Sequence, residues 1–271
     1  MTHMSQTQAL VLRTAGINCD GETVRALQAA GAAVELRHLD SVLSEPARLE
    51  RCSLLVIPGG FSYGDDISAG RVLGLELRRS LLGAVRRFVA RGGHVLGVCN
   101  GFQVLVESGL FEADLSLASD EALPPRNISL TNNLSNRFEC RWVHLQGQAC
   151  AAGWVEDGLV MPVPVAHGEG RFVVRDEATL ARLIRRRQIA WRYCDARGAI
   201  ATEHPLNPNG SVHAIAGLCD PTGRVLGLMP HPERNITPFQ HPHWTRMPPR
   251  SEGEGLRFYR RLVEAASHAL A

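Results

Sequence analysis

Residues 94–103, HVLGVCNGFQ, decide how this chain folds. The first half is a short apolar run without polar alternation, the pattern of a strand covered on both faces. Helical spacing begins at Asn100 and continues to Ser108, so a strand feeds a helix across one residue, Cys99. The same alternation recurs upstream. Apolar runs stand at 9–13 and 53–57, and 34–38 reads as a second strand between them; a helical pattern that stops at Gly31 separates the first run from it, and Pro58-Gly59-Gly60 closes the run at 53–57. Residues 72–91 have helical periodicity, with Leu73, Leu77, Leu81, Leu82, Val85, Phe88 and Val89 on one side, and end at Gly92-Gly93. Strands alternating with helices predict an α/β fold, a doubly wound, mostly parallel sheet flanked by helices. After Gly109 the pattern changes. Residues 137–145, 160–166, 188–193 and 211–219 read as short strands between turns, expected as additional antiparallel strands in the second half. Residues 225–229 are again strand-like, 238–250 read as a Pro- and His-rich surface loop, and 256–269 as a closing amphipathic helix. No repeat or linker interrupts the pattern, so residues 1–271 are read as a single domain.

Composition narrows the chemistry. The chain has 271 residues, 45% hydrophobic and 21% charged, enough for a sizeable core. It carries 29 basic and 27 acidic residues, a net charge of +2, which favours neither nucleic acid nor a membrane surface as partner. Every basic side chain except histidine is Arg: with no Lys, the sequence excludes a P-loop lysine, a Schiff-base lysine and a pyridoxal-phosphate anchor. Seven Cys, an odd number without a C-x-x-C, argue against a disulfide framework and a structural zinc site. The expectation is a reduced, cytoplasmic protein without a bound metal. No apolar run approaches the ~18–20 residues of a membrane span, and the polar first eight residues do not read as a signal peptide. The Arg-rich stretches 78–91 and 185–187 read as solvated faces.

The chemistry starts at Gly97-Val98-Cys99-Asn100-Gly101. Strand, sharp turn and helix are the setting of a nucleophile elbow, here with Cys as the nucleophile. Glycine on either side removes the Cβ atoms that would collide in such a turn. The helix beginning near Asn100 points its positive end at Cys99, which favours the thiolate. The backbone N–H of Asn100, free at the helix start, is one oxyanion donor, and that of Gly60, in the turn after another buried strand, is a candidate second. The other six Cys are read as core or surface residues.

Pro230-His231-Pro232-Glu233 follows the strand at 225–229. Prolines hold the chain extended, and in extended chain side chains two apart point the same way. His231 and Glu233 would thus be presented together, as a base and the carboxylate that orients it. With Cys99 they make a Cys–His–Glu triad, its members on loops beyond strand ends.

With these pieces in place the chain resembles the class I (triad) glutamine amidotransferases, which have a flavodoxin-like fold. Within them it is similar to the glutaminase subunits of phosphoribosylformylglycinamidine synthase. The resemblance covers nearly the whole chain and rests on RTAGINCD (13–20), PGGFSYGD (58–65), GVCNGFQ (97–103), RFECR (137–141), HGEGRF (167–172), NGSVHAIAG (209–217) and MPHPER (229–234). It implies Cys99 as nucleophile, His231 as base and Glu233 as its partner. It further implies that Gln103 helps to hold bound L-glutamine, that Gly60 and Asn100 form the oxyanion hole, and that His167, Gly168 and Glu169 lie in a loop facing the partner. The implied partner is a separate synthetase subunit, with or without a small bridging subunit, that uses ATP and Mg; this chain itself needs no cofactor. Residues 110–131 are longer and more acidic than the family's usual connection, and 238–250 are extended. The other readings are an amidotransferase of a different pathway and a non-catalytic scaffold of the same fold.

Overall fold

The computed structural model describes residues 6–113, 115 and 126–268. The first half alternates as expected: β1 (Gln8–Arg13), α1 (Asp20–Ala29), β2 (Ala33–His38), α2 (Leu39–Ser44), β3 (Leu54–Ile57), α3 (Arg71–Glu76), α4 (Leu82–Ala90), β4 (His94–Val98) and α5 (Asn100–Ser108). The second half holds β5 (Ile128–Thr131), β6 (Glu139–Gly147), β7 (Val160–His167), β8 (Arg171–Val174), α6 (Glu177–Arg185), β9 (Ile189–Cys194), β10 (Ile215–Cys219), β11 (Val225–Leu228) and α7 (Glu254–Ser267). Nine strands form one sheet in the order β2-β1-β3-β4-β11-β10-β9-β6-β7, and β5 pairs with β8 in a second. The pairs from β2 to β11 are parallel, and those from β11 to β7 are antiparallel. Helices pack on the sheet, α1 with α7 and α3 with α5.

Every residue of β3, β4 and β11 is buried, which is why these strands read as unbroken apolar runs. β7 has one face half-exposed, and its burial alternates residue by residue. The long apolar stripe from Leu73 to Val89 runs through a π turn at Leu77–Leu81 that joins α3 to α4. Leu73, Leu77, Leu81 and Val85 recur every fourth residue, so a regular helix would rotate the stripe by about 40° at each step. The wider π turn absorbs that drift, and all four side chains are buried.

Several expectations are corrected. The expected strand at 211–219 begins only at Ile215; Val212–Ala214 form a 3-10 turn with His213 at φ 51°. Strands β5 and β8 and helices α2 and α6 were not anticipated. The 78–91 stretch is not simply a solvated face. Arg86 is buried, and the Arg91 guanidinium donates to the carbonyls of Leu49, Glu50 and Cys52, tying α4 to the chain before β3. Arg185, Arg186 and Arg187 are exposed, as expected. The 238–250 loop contains two 3-10 turns and an exposed pair, Phe239 and Trp244, in edge-to-face contact. Half of the 110–131 connection, residues 114 and 116–125, lies outside the described residues. All seven cysteines are free, and all but Cys140 are buried.

Candidate active site

The loops after β1, β3, β4 and β11 meet at the C-terminal ends of the parallel strands, where an open α/β sheet builds its binding crevice. Cys99 stands between β4 and α5 at φ 52°, ψ −108°, a left-handed backbone that a non-glycine residue adopts only at a cost. Its neighbours make that turn possible. A Cβ on Gly97 would lie 2.5 Å from the Gly101 carbonyl oxygen, and one on Gly101 only 1.9 Å from that of Ile57. The Cys99 N–H is held by the Leu228 carbonyl of the adjacent strand β11 (2.8 Å), and the sulfur lies 3.8 Å from the Ala166 carbonyl.

His231 is fully buried beside this thiol. Its N–H donates to the Pro164 carbonyl of β7 (2.9 Å), and its Nδ1 shares a 2.6 Å hydrogen bond with Glu233 Oε1. The local reason differs from the sequence reading. Pro232–Arg234 turn as a 3-10 helix instead of running extended, and this turn brings the Glu233 carboxylate back under the ring. Tyr259 of α7 donates its hydroxyl to the other Glu233 oxygen (3.4 Å). Burial alone would push the His231 pKa down; the Glu233 carboxylate and the Cys99 sulfur outweigh it and hold the ring well above the ordinary histidine range. Its Nε2 is buried without a well-formed hydrogen bond, with the sulfurs of Cys99 and Cys19 within reach of the ring.

A polar network fixes the opposite wall. Asn100 Nδ2 donates to Asp65 Oδ1 (2.9 Å) and to Gln103 Oε1 (3.0 Å), while its Oδ1 accepts from the Ser62 N–H (3.2 Å). Gln103 Nε2 donates to the Glu169 carbonyl, and Glu169 Oε2 accepts from the Ala69 N–H (3.2 Å). Burial raises the Asp65 carboxyl above its usual range, opposed by the Gly70 and Asn100 donors. Gly60, at φ 141°, packs so closely on the loop after β1 that a Cβ would stand 2.7 Å from the Asn18 nitrogen.

These walls enclose two adjoining cavities that share Gly60, Phe61, Cys99, Phe138 and Ala166. One, of about 170 Å³, extends to Gln103, Gly168 and Glu169; the other, of about 150 Å³, extends to Cys19, His231 and Arg234. They are well below the ~300–1,000 Å³ of drug-sized sites and suit a ligand of amino-acid size. Larger concavities of about 450 and 700 Å³ lie elsewhere, lined by residues such as His94 and Arg224 or Glu50 and Phe88, and neither contains Cys99 or His231.

The structure thus gathers Cys99, His231, Glu233, Gly60, Asn100, Gln103, Gly168 and Glu169 in one place. His167 belongs to the same loop, but its ring is buried and bonded to Asn133 Oδ1 (3.1 Å). Burial and the neighbouring His231 charge push its pKa down to about 3, so the ring is neutral. Sequence reasoning passed over Cys19, Asp65 and Arg234, although each lies inside a motif quoted for the resemblance. Cys19 Sγ, a His231 nitrogen and a Glu233 oxygen lie within 4.8 Å of one another, the one grouping of potential metal donors among the described residues. Within this grouping Glu233 Oε1 accepts from His231 Nδ1 and Arg234 Nη2 donates to Cys19 Sγ (3.1 Å).

A strained thiol at a strand–helix turn, beside a buried imidazole–carboxylate pair, is the arrangement of a cysteine acyl-transfer site. The chain belongs to the CobB/CobQ-like glutamine amidotransferase domain family, whose model matches residues 6–264. Among its relatives are the phosphoribosylformylglycinamidine synthase subunit PurQ of Dehalococcoides mccartyi, 39% identical over 264 residues (97% of this chain, 99% of the relative), and that of Methanococcus maripaludis strain C5, 40% identical over 238 residues (88% and 86%). A solved structure of PurLQS from Thermotoga maritima contains a similar chain, with a TM-score of 0.68 and 27% identity over 96% of this chain and 98% of that one. A glutamine amido transferase from Methylobacillus flagellatus has the same fold, with a TM-score of 0.52 at 16% identity over 98% of this chain and 94% of that one.

Proposed function

We propose that this chain is the glutaminase subunit of a phosphoribosylformylglycinamidine synthase. It hydrolyses L-glutamine and passes the ammonia to a separate ATP-dependent synthetase subunit, which converts formylglycinamide ribonucleotide to its amidine in purine biosynthesis. The relatives across nearly the full length support the pathway, and the Cys99 geometry beside His231–Glu233 is the observation that carries the chemistry. Residues 1–271 act as one domain. The chain works in the cytoplasm, and no helix among the described residues is long and apolar enough to cross a membrane. ATP and Mg belong to the partner; this lysine-free chain offers no P-loop grip on a nucleotide.

In this reading Cys99 Sγ attacks the side-chain amide carbon of glutamine as its proton passes to His231. The oxyanion that forms is met by the backbone N–H groups of Gly60 and Asn100, the latter in the first turn of α5, where N–H groups lack helical partners. The imidazolium, supported by Glu233, gives its proton to the leaving nitrogen, and the C–N bond breaks to leave a γ-glutamyl thioester and ammonia. His231 then takes a proton from water, whose oxygen attacks the thioester; glutamate leaves and the thiol is restored. Gln103, Gly168 and Glu169 shape the wall against which glutamine lies. Ammonia released into bulk water would be protonated and lose its nucleophilicity, which favours enclosed transfer to the partner.

The test is Cys99→Ala in the chain assembled with its synthetase. Glutaminase and glutamine-dependent synthesis should be lost while ammonia-dependent synthesis persists, because only the thioester step needs this thiol. Glutaminase activity retained in the variant would refute the assignment.

A further inference from the structure

We propose that Cys19 is a positioning residue for His231: clamped by Arg234, it holds the imidazole in the orientation that serves Cys99. The proposal rests on the triad reading above. Cys19 sits at the entrance to α1, where its carbonyl accepts from the Thr23 N–H (3.1 Å) and hydroxyl (2.7 Å), and its own N–H donates to the Gly59 carbonyl (3.2 Å). These bonds fix the backbone from which the side chain projects into the cavity. Arg234 Nη2 donates to the sulfur (3.1 Å), and Arg234 is itself braced by a 2.6 Å bond from its Nε to Glu22 Oε1. The crowding around Gly59 shows how little room the ring has. A Cβ there would stand 2.9 Å from His231 Cε1, 3.1 Å from Cys19 Sγ and 3.3 Å from Cys99 Cβ. The imidazole, Cys19 Sγ and Cys99 thus crowd around Gly59, with Cys19 Sγ within 4.8 Å of a His231 nitrogen.

The chemistry of the two thiols divides the roles. Cys19 lies outside the strained elbow, and although it caps α1, its Sγ–H donates to Asn18 Oδ1 (3.3 Å). Burial pushes its thiol up, partly opposed by His231 and Arg234, so it remains a neutral thiol and not a competing nucleophile. A neutral sulfur offers the ring a long, weak hydrogen-bond partner while Cys99 is committed to the thioester. The groups that face His231 are Glu233 at Nδ1, the two sulfurs and neutral His167, with Arg234 behind Cys19 and Tyr259 behind Glu233.

The experiment compares Cys19→Ala and Cys19→Ser in the chain assembled with its synthetase. In Cys19→Ala the glutaminase kcat should fall by about tenfold, with KM for glutamine within about twofold, as for a residue that acts on the transition state through the base. The pH–rate profile should shift, and the low-field proton resonance of the Nδ1–H···Glu233 hydrogen bond should move or broaden. Cys19→Ser, which keeps a small hydroxyl partner, should restore most of the rate. Diazo-oxo-norleucine should still label Cys99 in both variants. A wild-type kcat, pH profile and resonance in Cys19→Ala would overturn the proposal, as would a lower kcat with both signatures unmoved, which would make Cys19 a packing residue only. Should the alanine variant fail to fold, Arg234→Gln, which weakens the clamp and leaves the thiol, is expected to move the same signatures, and unmoved signatures there would also overturn it. Glutaminase surviving in Cys99→Ala would instead strike at the triad reading itself.

Discussion

Replacing Glu233 by Gln tests the buried pair that gives His231 its character. The substitution keeps the size and one acceptor oxygen for Nδ1–H but removes the negative charge. Two unit charges roughly 4 Å apart are worth about 4 kcal/mol at the effective dielectric of ~20 appropriate to protein sites. Both groups are buried and joined at 2.6 Å, so solvent screens them little, and the retained neutral hydrogen bond recovers only a part. A loss of about 3–4 kcal/mol in support for the imidazolium corresponds to roughly 10²–10³ in kcat. KM for glutamine should change little, because Glu233 sits behind His231 and does not reach the cavity. The sign of the accompanying pH effect follows. Glu233 holds the folded-state pKa of His231 up, so its neutralisation lowers that pKa, and the limb of the profile where the imidazolium loses its proton moves to lower pH. Steady-state glutaminase assays across pH on the assembled complex, with urea unfolding as a check on folding, provide the measurement. A change in kcat below about threefold would show that the charge of Glu233 does not support the base, and would refute the electrostatic argument.

Two further expectations concern stability. Gly101→Ala would drive a Cβ to within 1.9 Å of the Ile57 carbonyl oxygen, so it should cost about 3 kcal/mol or more in urea unfolding. Gly153→Ala, where nothing lies within 4 Å, should stay within about 0.5 kcal/mol. His94 opens β4 with its pKa pushed down to about 4 by burial and by Arg224. The unfolded chain would take up a proton near pH 6.5 that the folded chain refuses until about pH 4, so stability present above pH 6.5 is lost as pH falls through that window, by about 3 kcal/mol. His94→Gln should remove this contribution and flatten the fall of the urea midpoint between pH 7 and 4.5; an equally steep fall would place the acid sensitivity elsewhere, for instance at His167.

The parallel half of the sheet was legible because each of its strands carries its own signal. β4 matched the expected bounds, and β1, β2, β3 and β11 came within a residue of them; β3, β4 and β11 are buried throughout and leave apolar runs, whereas β2, an edge strand with no buried residue, is a mixed segment set off by Gly31. The second half was harder. β5 and β8 are four residues each, and they gain their meaning only by pairing with one another across about forty residues of chain. Helix α6 did leave marks that sequence reasoning passed over: Asp176 caps the Thr179 N–H (2.7 Å), and its nine residues are strongly amphipathic, with Thr179 and Leu183 buried. The π turn was hidden because it changes helix width while preserving the apolar stripe.

For the site, local sequence was enough to single out Cys99 and the His231–Glu233 pair, because a strand–turn–helix signature and a Pro-flanked turn are short-range features. The reason given for the second was wrong in detail, for a 3-10 turn and not extended chain presents Glu233. What no local pattern could decide is which residues from distant segments close around them. Cys19 and Arg234 are separated by 215 positions, and Asn100 and Asp65 by 35, yet each pair shares a hydrogen bond. Short-range sterics and burial pattern are properties of neighbouring residues and survive in the sequence. Proximity between loops is set by strand order, here β1, β3, β4 and β11 lying side by side, and that order is the outcome of packing the whole sheet at once. The sequence by itself determined the elbow, the His231–Glu233 pair and the alternating architecture; only the assembled sheet decided that a second thiol and an arginine stand against the same imidazole.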